Sequence, residues 1–205
     1  MSPQCFGSVA WYRAMSAFPR VVIDTGIAYD KRFKSIHRYS IADVRGALTL
    51  TVPVGHPLPG GPRKWSRTLV SGHGHWPHVH LTSLESAYGR TPYFEFYIDR
   101  IAPLLKYSEI SVTDFCMRAD EVIRDILGLP TVVLTPDAST ASDAADFIAG
   151  ARADVTDDLR SRESIATFAP APYRQHRIRE LGFIPGLSIL DLIFNLGPEA
   201  PLALL

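Results

Sequence analysis

The segment that most constrains the fold lies near the end of the chain, where residues 182–198 read GFIPGLSILDLIFNLGP. Ser188 is a good helix N-cap, because its hydroxyl can accept a hydrogen bond from a free backbone N–H, and Asp191 at the third position after it makes a capping-box pattern. Apolar residues recur at helical spacing until Gly197, which can close a helix, and Pro198, which cannot continue one. The segment predicts a short helix with defined ends, apolar nearly all round and suited to a core.

A polar stripe interrupts this apolar helix. Ser188, Asp191 and Asn195 are spaced i, i+3 and i+7, and they therefore share one face. One interpretation is a helix cap with a buried amide whose hydrogen bonds are satisfied, as those of buried polar groups usually are. The other interpretation is the polar wall of a ligand site, in which Asp191 and Asn195 face the ligand.

Composition excludes several classes of protein. The chain carries 21 basic and 21 acidic side chains in 205 residues, so it lacks the positive charge of a general nucleic-acid binder. No apolar run approaches the ~18 residues of a membrane-spanning helix, and the start MSPQCFGSVAWYR lacks the pattern of a secretory signal. Cys5 and Cys116 suggest neither a paired metal motif nor a disulfide framework, which favours a reducing cytoplasm. The sequence specifies neither a cofactor nor an oligomeric state.

Short β-branched runs alternate with helical periods, which is typical of an α/β protein. RVVID at 20–24 and TVVLT at 131–135 are predicted as buried strands, and ALTLTVPV at 47–54 as a strand with alternating faces. Residues 8–18 and 111–127 are predicted as helices. Together these elements predict a single three-layered α/β domain over residues 1–205, with a small and mostly parallel sheet.

Asp24 closes the first predicted strand. An acidic residue just past a buried strand stands where open α/β sheets place their ligand chemistry. An equally good interpretation is a loop aspartate that caps a turn beside Gly26.

The segment from Tyr29 to Arg45 is locally basic within a neutral chain. Aromatic residues are interleaved there with cationic side chains and an imidazole: Lys31, Arg32, Lys34, His37, Arg38 and Arg45. Lysines commonly guard the exposed edge of a sheet, so one interpretation is a solvated edge strand. The other is a clamp for phosphate or carboxylate, because arginine binds such groups in a bidentate manner.

Clustered histidines follow a stretch at 56–69 whose Pro, Gly, Lys and Arg predict a mobile loop. His73, His75, His78 and His80 have the spacing H-x-H-x2-H-x-H, and imidazoles this close could bind zinc or nickel. No cysteine or carboxylate lies among them, and glycines and a proline imply a loop. We therefore predict no native metal site, and metal handling through His73–His80 is kept as an alternative.

The remaining segments are predicted from period and composition. Residues 79–88 return to a helical period, and the aromatic stretch PYFEFYIDRIAPLL at 92–105 is predicted as a helix whose rings fill the core. The small and polar stretch at 136–151 is predicted as a lid or surface excursion.

Taken together, these stretches resemble the WbqC-like family of bacterial proteins, almost from end to end. The motifs that carry the resemblance are FGSVAWY at 6–12, YDKRFKSIHRYSI at 29–41, RGALTLTVPV at 45–54, the W…H…SLESAYGRTPYFEFY run at 76–97, DLR at 158–160, PYRQH at 172–176 and GFIPGLSILDLIFNLGPE at 182–199. Cys5, Ser8 and Ala10 stand where the family pattern has tyrosine, proline and glutamine. Of the clustered histidines, only His80 stands at a family motif position.

The resemblance implies a role in surface-polysaccharide (O-antigen) biosynthesis, with transfer of an aminoacyl, acyl or sugar-related group onto an amino sugar. On this hypothesis His80 is a general base, because an unperturbed imidazole titrates near neutral pH. Asp24 and Asp191 would orient it or bind sugar hydroxyls, and Asn195 would contact the ligand.

The partner expected from the basic segment is a small anionic or sugar ligand. Its phosphate or carboxylate would be held by the cationic and imidazole side chains: Lys31, Arg32, Lys34, His37 and Arg38. Two alternatives stay open at this point. One is a non-catalytic binding or assembly protein that packs its aromatic run against a partner, and the other is metal handling through the histidine loop.

Overall fold

The computed structural model describes residues 1–135 and 162–205. The described α-helices are α1 (Val9–Ser16), α2 (Trp76–Tyr88), α3 (Phe94–Ile101), α4 (Val112–Leu127), α5 (Arg162–Ala166), α6 (Ile178–Leu181) and α7 (Ile189–Leu196). The described strands are β1 (Arg20–Val22), β2 (Arg38–Asp43), β3 (Gly46–Thr51), β4 (Val54–Pro57), β5 (Thr68–Val70) and β6 (Val132–Leu134). Short 3-10 helices at Lys34–Ile36, Trp65–Arg67, Ala102–Lys106 and Gly197–Leu204 join or extend them.

Serine caps define where three of the helices begin. Ser8 accepts a hydrogen bond from the backbone N–H of Trp11 at the start of α1, and Ser111 accepts one from Asp114 at the start of α4. Ser188 caps α7 by accepting from the N–H of Leu190. The cap predicted at Ser188 is confirmed, whereas the capping box is not, because the Asp191 carboxylate turns to other partners in the interior.

The mixture of helices and small sheets predicted from the sequence is confirmed, but the expectation of one mostly parallel sheet is wrong for the described residues. Their strands form three separate two-stranded sheets. Only β1 and β6 pair in parallel, while β2–β3 and β4–β5 are antiparallel. The reason is local: β2 and β3 are close in sequence and pair as a hairpin from Arg38 opposite Thr51 to Asp43 opposite Gly46.

The helix α7 lies in the core, as its composition predicts. Leu192, Ile193 and Phe194 are fully buried, and they belong to one continuous cluster of buried side chains. The start of α7 is hydrogen-bonded to two other segments of the chain. The Ser188 N–H donates to the carbonyl of Ser40 in β2, and the Ser188 hydroxyl donates to the carbonyl of Phe6. The β2–β3 hairpin is thereby held directly against the core helix.

Other elements differ from prediction in their bounds or faces. The stretch at 56–69, predicted as a loop, contains the end of β4, a 3-10 helix and the start of β5. Its two ends are joined by backbone hydrogen bonds such as the one from the Leu58 N–H to the Arg67 carbonyl. Helix α2 begins at Trp76, three residues before the predicted start at Val79, and helix α4 buries Asp120, which its helical pattern did not single out.

The predicted lid at 136–151 lies outside the described residues. Within 1–135 and 162–205, no helix has both the length and the apolar composition needed to cross a membrane.

Candidate functional site

The basic segment and the loop around Trp65 come together in a cluster that we call the aromatic–basic site. It consists of Tyr29, Lys34, His37, Arg38, Arg63 and Trp65. Backbone hydrogen bonds hold the two stretches together, from the Tyr29 N–H to the Arg63 carbonyl at 2.9 Å and from the Trp65 N–H to the Ile27 carbonyl at 3.2 Å. Residues distant in sequence therefore form one surface on which side chains of different chemistry converge.

Aromatic rings form one part of the aromatic–basic site. The ring centroids of Tyr29 and Trp65 are 4.7 Å apart, and those of His37 and Trp65 are 5.6 Å apart. The Arg63 guanidinium lies 5.4 Å from the centroid of the Tyr29 ring, within the range of a cation–π contact. Trp65 is buried while Tyr29 and His37 are half-buried, so the cluster is anchored in the core and still reaches the surface.

Two buried donors of this site lack a hydrogen-bond partner within the described residues. The buried side-chain atoms without a hydrogen-bond partner in the described chain are Arg38 Nε, Trp65 Nε1, Arg67 Nε, Asp120 Oδ1 and Arg177 Nε. Arg67 and Asp120 keep partners through their other polar atoms. Of the three other atoms, Arg38 Nε and Trp65 Nε1 belong to the aromatic–basic site, whereas Arg177 Nε lies outside it. A buried donor left without a partner costs on the order of 1–3 kcal/mol, which a bound oxygen acceptor would recover.

The predicted cations are not equivalent in the structure. Lys34 and Arg38 both act on His37, because their charges contribute to lowering its pKa, although burial is the larger cause. Lys31 and Arg32 are exposed, and Arg32 is ion-paired with Asp30 at 2.8 Å with its side chain 91% exposed. A pair so exposed is worth little free energy. The structure therefore brings Lys34, His37 and Arg38 together and leaves Arg32 engaged elsewhere.

His80 is held by both of its ring nitrogens. Its Nε2 lies 3.1 Å from the carbonyl oxygen of Thr51, and its Nδ1 lies 2.9 Å from the Tyr39 hydroxyl. Because a carbonyl only accepts, Nε2 carries the proton and Nδ1 accepts from Tyr39. The side chain is 2% exposed, and burial lowers its pKa. Both nitrogens are thus engaged within the protein, and His80 joins α2 to the β2–β3 hairpin.

Asp191 is the centre of a buried hydrogen-bond network. Its carboxylate accepts from the Tyr173 hydroxyl at 2.7 Å, from Gln175 Nε2 at 3.2 Å and from Asn195 Nδ2 at 3.3 Å. The hydroxyl of Tyr88 also interacts with the carboxylate and accepts the N–H of Ala42 in β2. Burial raises the pKa of Asp191, and these donors oppose the rise. The network links α7 to α2, to the hairpin and to the segment at 173–175.

Asp24 caps a turn and lies at the edge of the aromatic–basic site. Its carboxylate accepts the N–H of Gly26 at 3.0 Å, as the turn interpretation predicts. A Cβ built on Gly26 would stand 3.4 Å from the Asp24 Oδ1 and 3.8 Å from the Lys64 ammonium, so the turn adjoins the loop that carries Arg63 and Trp65. Within the described residues no hydrogen bond joins the Asp24 side chain to His80 or Asp191, so the three predicted catalytic residues are not linked to one another directly.

The histidine cluster does not assemble. His73, His75 and His78 are exposed, whereas His80 faces the interior. In the part of the chain that the structure describes, no three His, Cys, Asp or Glu side chains are arranged to hold a metal ion.

Two surface pockets lie outside the aromatic–basic site. One of about 540 Å³ lies between α3 and α4 and is lined by Arg100, Arg124 and Asp125 among others. Its arginines already bind carboxylates, Arg100 that of Asp125 and Arg124 that of Asp120. The other, of about 420 Å³, lies between the hairpin and α2. Neither offers the unpaired donors of the aromatic–basic site.

Comparison with known proteins places the chain in a family. A sequence model of the WbqC-like protein family matches residues 9–163, about three quarters of the chain. The chain belongs to the WbqC-like protein family. Among curated proteins, the uncharacterized protein Rv1507c of Mycobacterium tuberculosis is 28% identical over 187 residues, which cover 80% of this chain and 79% of that protein. No solved structure matches.

The WbqC-like match includes the whole aromatic–basic site and His80, but it ends before the Asp191 network. Sequence reasoning missed Arg63 and Trp65, although the basic–aromatic run RKW inside the predicted loop was a usable signal. It also missed Tyr173 and Gln175 as partners of Asp191. Their motif PYRQH was visible, but only the fold shows that it reaches α7.

Proposed function

We propose that this WbqC-like protein is a cytoplasmic transferase of surface-polysaccharide biosynthesis that binds the phosphate of an activated donor at the aromatic–basic site. The observation that carries the proposal is Arg38, whose buried Nε has no hydrogen-bond partner in the described chain. Family membership supports the general role, because the resemblance associates WbqC-like proteins with surface polysaccharides. The reaction proposed is transfer of an aminoacyl, acyl or sugar-related group onto an amino sugar.

The chemistry of the site suits a phosphate oxygen better than a neutral ligand. A guanidinium and an ammonium, from Arg38 and Lys34, supply positive charge around His37. Arginine can bind two phosphate oxygens at once, and charge-assisted hydrogen bonds are about twice as strong as neutral ones. The indole N–H of Trp65 is a further unpaired donor. The half-buried Tyr29 ring offers an apolar face against which a sugar or base could pack.

The other predicted site residues have different roles in this proposal, from direct contact with the ligand to support of the fold. Asp24, at the edge of the site, is proposed to bind hydroxyls of the sugar. Lys31 and Arg32 lie exposed and would attract the anion at longer range. His80, with both nitrogens engaged, would position Tyr39 and Thr51 rather than act as the base. Asp191 and Asn195 would hold the core on which the hairpin rests.

A titration with uridine diphosphate N-acetylglucosamine tests the phosphate assignment. We expect Arg38→Ala to weaken binding about 10-fold or more, since one charged hydrogen bond contributes about 1.5–3 kcal/mol. The matched control is Arg90→Ala, which removes an exposed arginine outside the site. Equal affinities of wild type, Arg38→Ala and Arg90→Ala would refute the assignment. A thermal-shift screen with aminoacyl donors and divalent metals alongside identifies whether another class binds instead.

The structure offers one observation for a non-catalytic binding protein. Phe96 on α3 is 74% exposed, and its ring centroid lies 6.3 Å from that of Tyr93. Were this the function, Phe96→Ser would abolish capture of a protein partner, and no ligand of the thermal-shift screen would stabilise the chain. If a nucleotide-sugar stabilises the chain and Phe96→Ser does not change the capture of a protein partner, the non-catalytic binding function is refuted.

A further inference from the structure

His37 has one ring nitrogen fixed by a hydrogen bond and the other without a partner among residues 1–135 and 162–205. Its Nδ1 lies 3.0 Å from the carbonyl oxygen of Val52. Because a carbonyl can only accept, Nδ1 carries the proton and Nε2 keeps its lone pair. No hydrogen bond to Nε2 exists within the described residues. The side chain is half-buried, so the ring is oriented by the protein without being enclosed.

The surroundings of His37 keep the imidazole neutral. Burial lowers its pKa, the charges of Arg38 on β2 and Lys34 on the preceding 3-10 helix lower it further, and the bond to Val52 opposes them. The Trp65 ring packed beside it is uncharged. Among the described residues, no carboxylate contributes to its pKa. At neutral pH the ring is therefore an unprotonated acceptor within a cluster of cations.

His80 provides the contrast within the same protein. It also donates one N–H to a backbone carbonyl, but its second nitrogen accepts the Tyr39 hydroxyl and its side chain is almost fully buried. Both ring nitrogens of His80 are therefore hydrogen-bonded, whereas at His37 only Nδ1 is hydrogen-bonded within the described residues. A group that must take up a proton needs a free lone pair within reach of the substrate.

We propose that His37, through Nε2, is the proton acceptor of the aromatic–basic site. The inference rests on the proposed function, in which the phosphate of an activated donor binds beside Arg38, and it takes that donor to be a nucleoside-diphosphate-linked group. The hydroxyl or amine of the acceptor molecule loses its proton to Nε2, and its electron pair forms the new bond to the transferred carbon. The bond from that carbon to the diphosphate oxygen breaks, and the diphosphate leaves with the electron pair, stabilised by Arg38 and Lys34. Nδ1–H stays on Val52 and holds the ring in place.

The first variant that separates this role from simple binding is His37→Asn. The asparagine amide can still donate to the Val52 carbonyl, but it places no lone pair at the position of Nε2. In turnover we expect kcat to fall about 10²–10⁴-fold with KM nearly unchanged. His80→Gln is the comparison, and it should keep most of the activity because its amide can still donate to Thr51.

Nuclear magnetic resonance of the histidine nitrogens tests the assignment without a turnover assay. In a pH series we expect His37 in the Nδ1–H tautomer, with a pKa below the ordinary value of about 6.5. Addition of uridine diphosphate N-acetylglucosamine should shift its Nε2 signal and leave that of His80 unchanged, with His37→Asn used to assign the peak. An Nε2–H tautomer, a ring charged at neutral pH, or a bound ligand that leaves the His37 signal in place would overturn the proton acceptor. Absence of binding by calorimetry, with the expected tautomer present, would instead overturn the proposed donor.

Discussion

The Asp191 network and the aromatic–basic site are both polar clusters set against the same core, and they differ in one respect. Around Asp191, Tyr173, Gln175 and Asn195 all direct donors to one buried carboxylate. In the aromatic–basic site, Arg38 and Trp65 hold donors without partners in the described chain. A network in which every donor has an acceptor stabilises a fold. A buried donor without an acceptor lowers the free energy of unfolding, and a bound ligand that supplies the acceptor removes that loss. This contrast is the basis for the proposal that the first cluster stabilises the fold and that the second binds a ligand.

The largest effect is expected from breaking the saturated cluster with Asp191→Ala. Removal of the carboxylate leaves the Tyr173 hydroxyl buried without its acceptor and opens a cavity beside Gln175, which keeps the Ile184 carbonyl as an acceptor. The lost acceptor and the cavity together should cost on the order of 3–5 kcal/mol. Urea unfolding measures the loss, and Asp191→Asn is the control because its amide oxygen can accept part of the network. Equal urea midpoints for wild type and Asp191→Ala would mean that the cluster does not support the fold.

An apolar truncation in the same helix sets the scale for that value. Leu192 is fully buried on α7, so Leu192→Ala should cost on the order of 2–4 kcal/mol through lost burial and a residual cavity. The matched variant is Leu202→Ala, which removes a leucine that is 68% exposed and should leave the unfolding midpoint nearly unchanged. Similar losses from both leucines would place α7 outside the core.

A smaller effect, dependent on pH, is expected at His80. Burial lowers its pKa in the folded protein, so the unfolded chain binds the proton more tightly. The stability that neutral His80 supplies is therefore complete above about pH 6.5 and is lost as the pH falls through the folded pKa. The advantage of wild type over His80→Gln in free energy of unfolding should shrink between pH 7 and pH 5. An advantage that grows on acidification would show a charged His80 in the fold.

The smallest effect is expected at the exposed histidines. His73 and His75 lie on the surface before α2, and within the described residues neither side chain belongs to a group that could hold a metal. Replacing both with alanine should change the unfolding midpoint and the affinity for a nucleotide-sugar by no more than the experimental error. Loss of either property, restored by added zinc, would revive the metal alternative.

The sequence predicted local features well and spatial relations poorly. The cap at Ser188, the helix that begins near Ser111 and the burial of α7 follow from short-range chemistry that a pattern records. The antiparallel pairing of β4 with β5 depends on backbone hydrogen bonds across a loop rich in proline and glycine, where no periodicity exists. For the same reason Trp65 appeared only as a loop residue, although the fold buries it against His37.

The histidines show the same limit at the level of the site. His80 stood out because of its motif position, but its partners Tyr39 and Thr51 come from a hairpin whose placement the sequence does not record. His37 was grouped with the cations of its segment. Only the carbonyl of Val52, distant in sequence, fixes its tautomer and separates its chemistry from that of Lys34 and Arg38.

The most direct test of the contrast between the two clusters measures affinity and stability on the same pair of variants. Wild type, Arg38→Ala and Asp191→Asn are titrated with uridine diphosphate N-acetylglucosamine by calorimetry and unfolded in urea in the same buffer. Our assignment predicts that Arg38→Ala loses about 10-fold or more in affinity and keeps its urea midpoint. Asp191→Asn should lose part of its stability, less than Asp191→Ala because its amide oxygen still accepts some of the donors, and it should bind as wild type does once folded. An Arg38→Ala protein that binds normally but unfolds early would contradict the division between a binding cluster and a structural one.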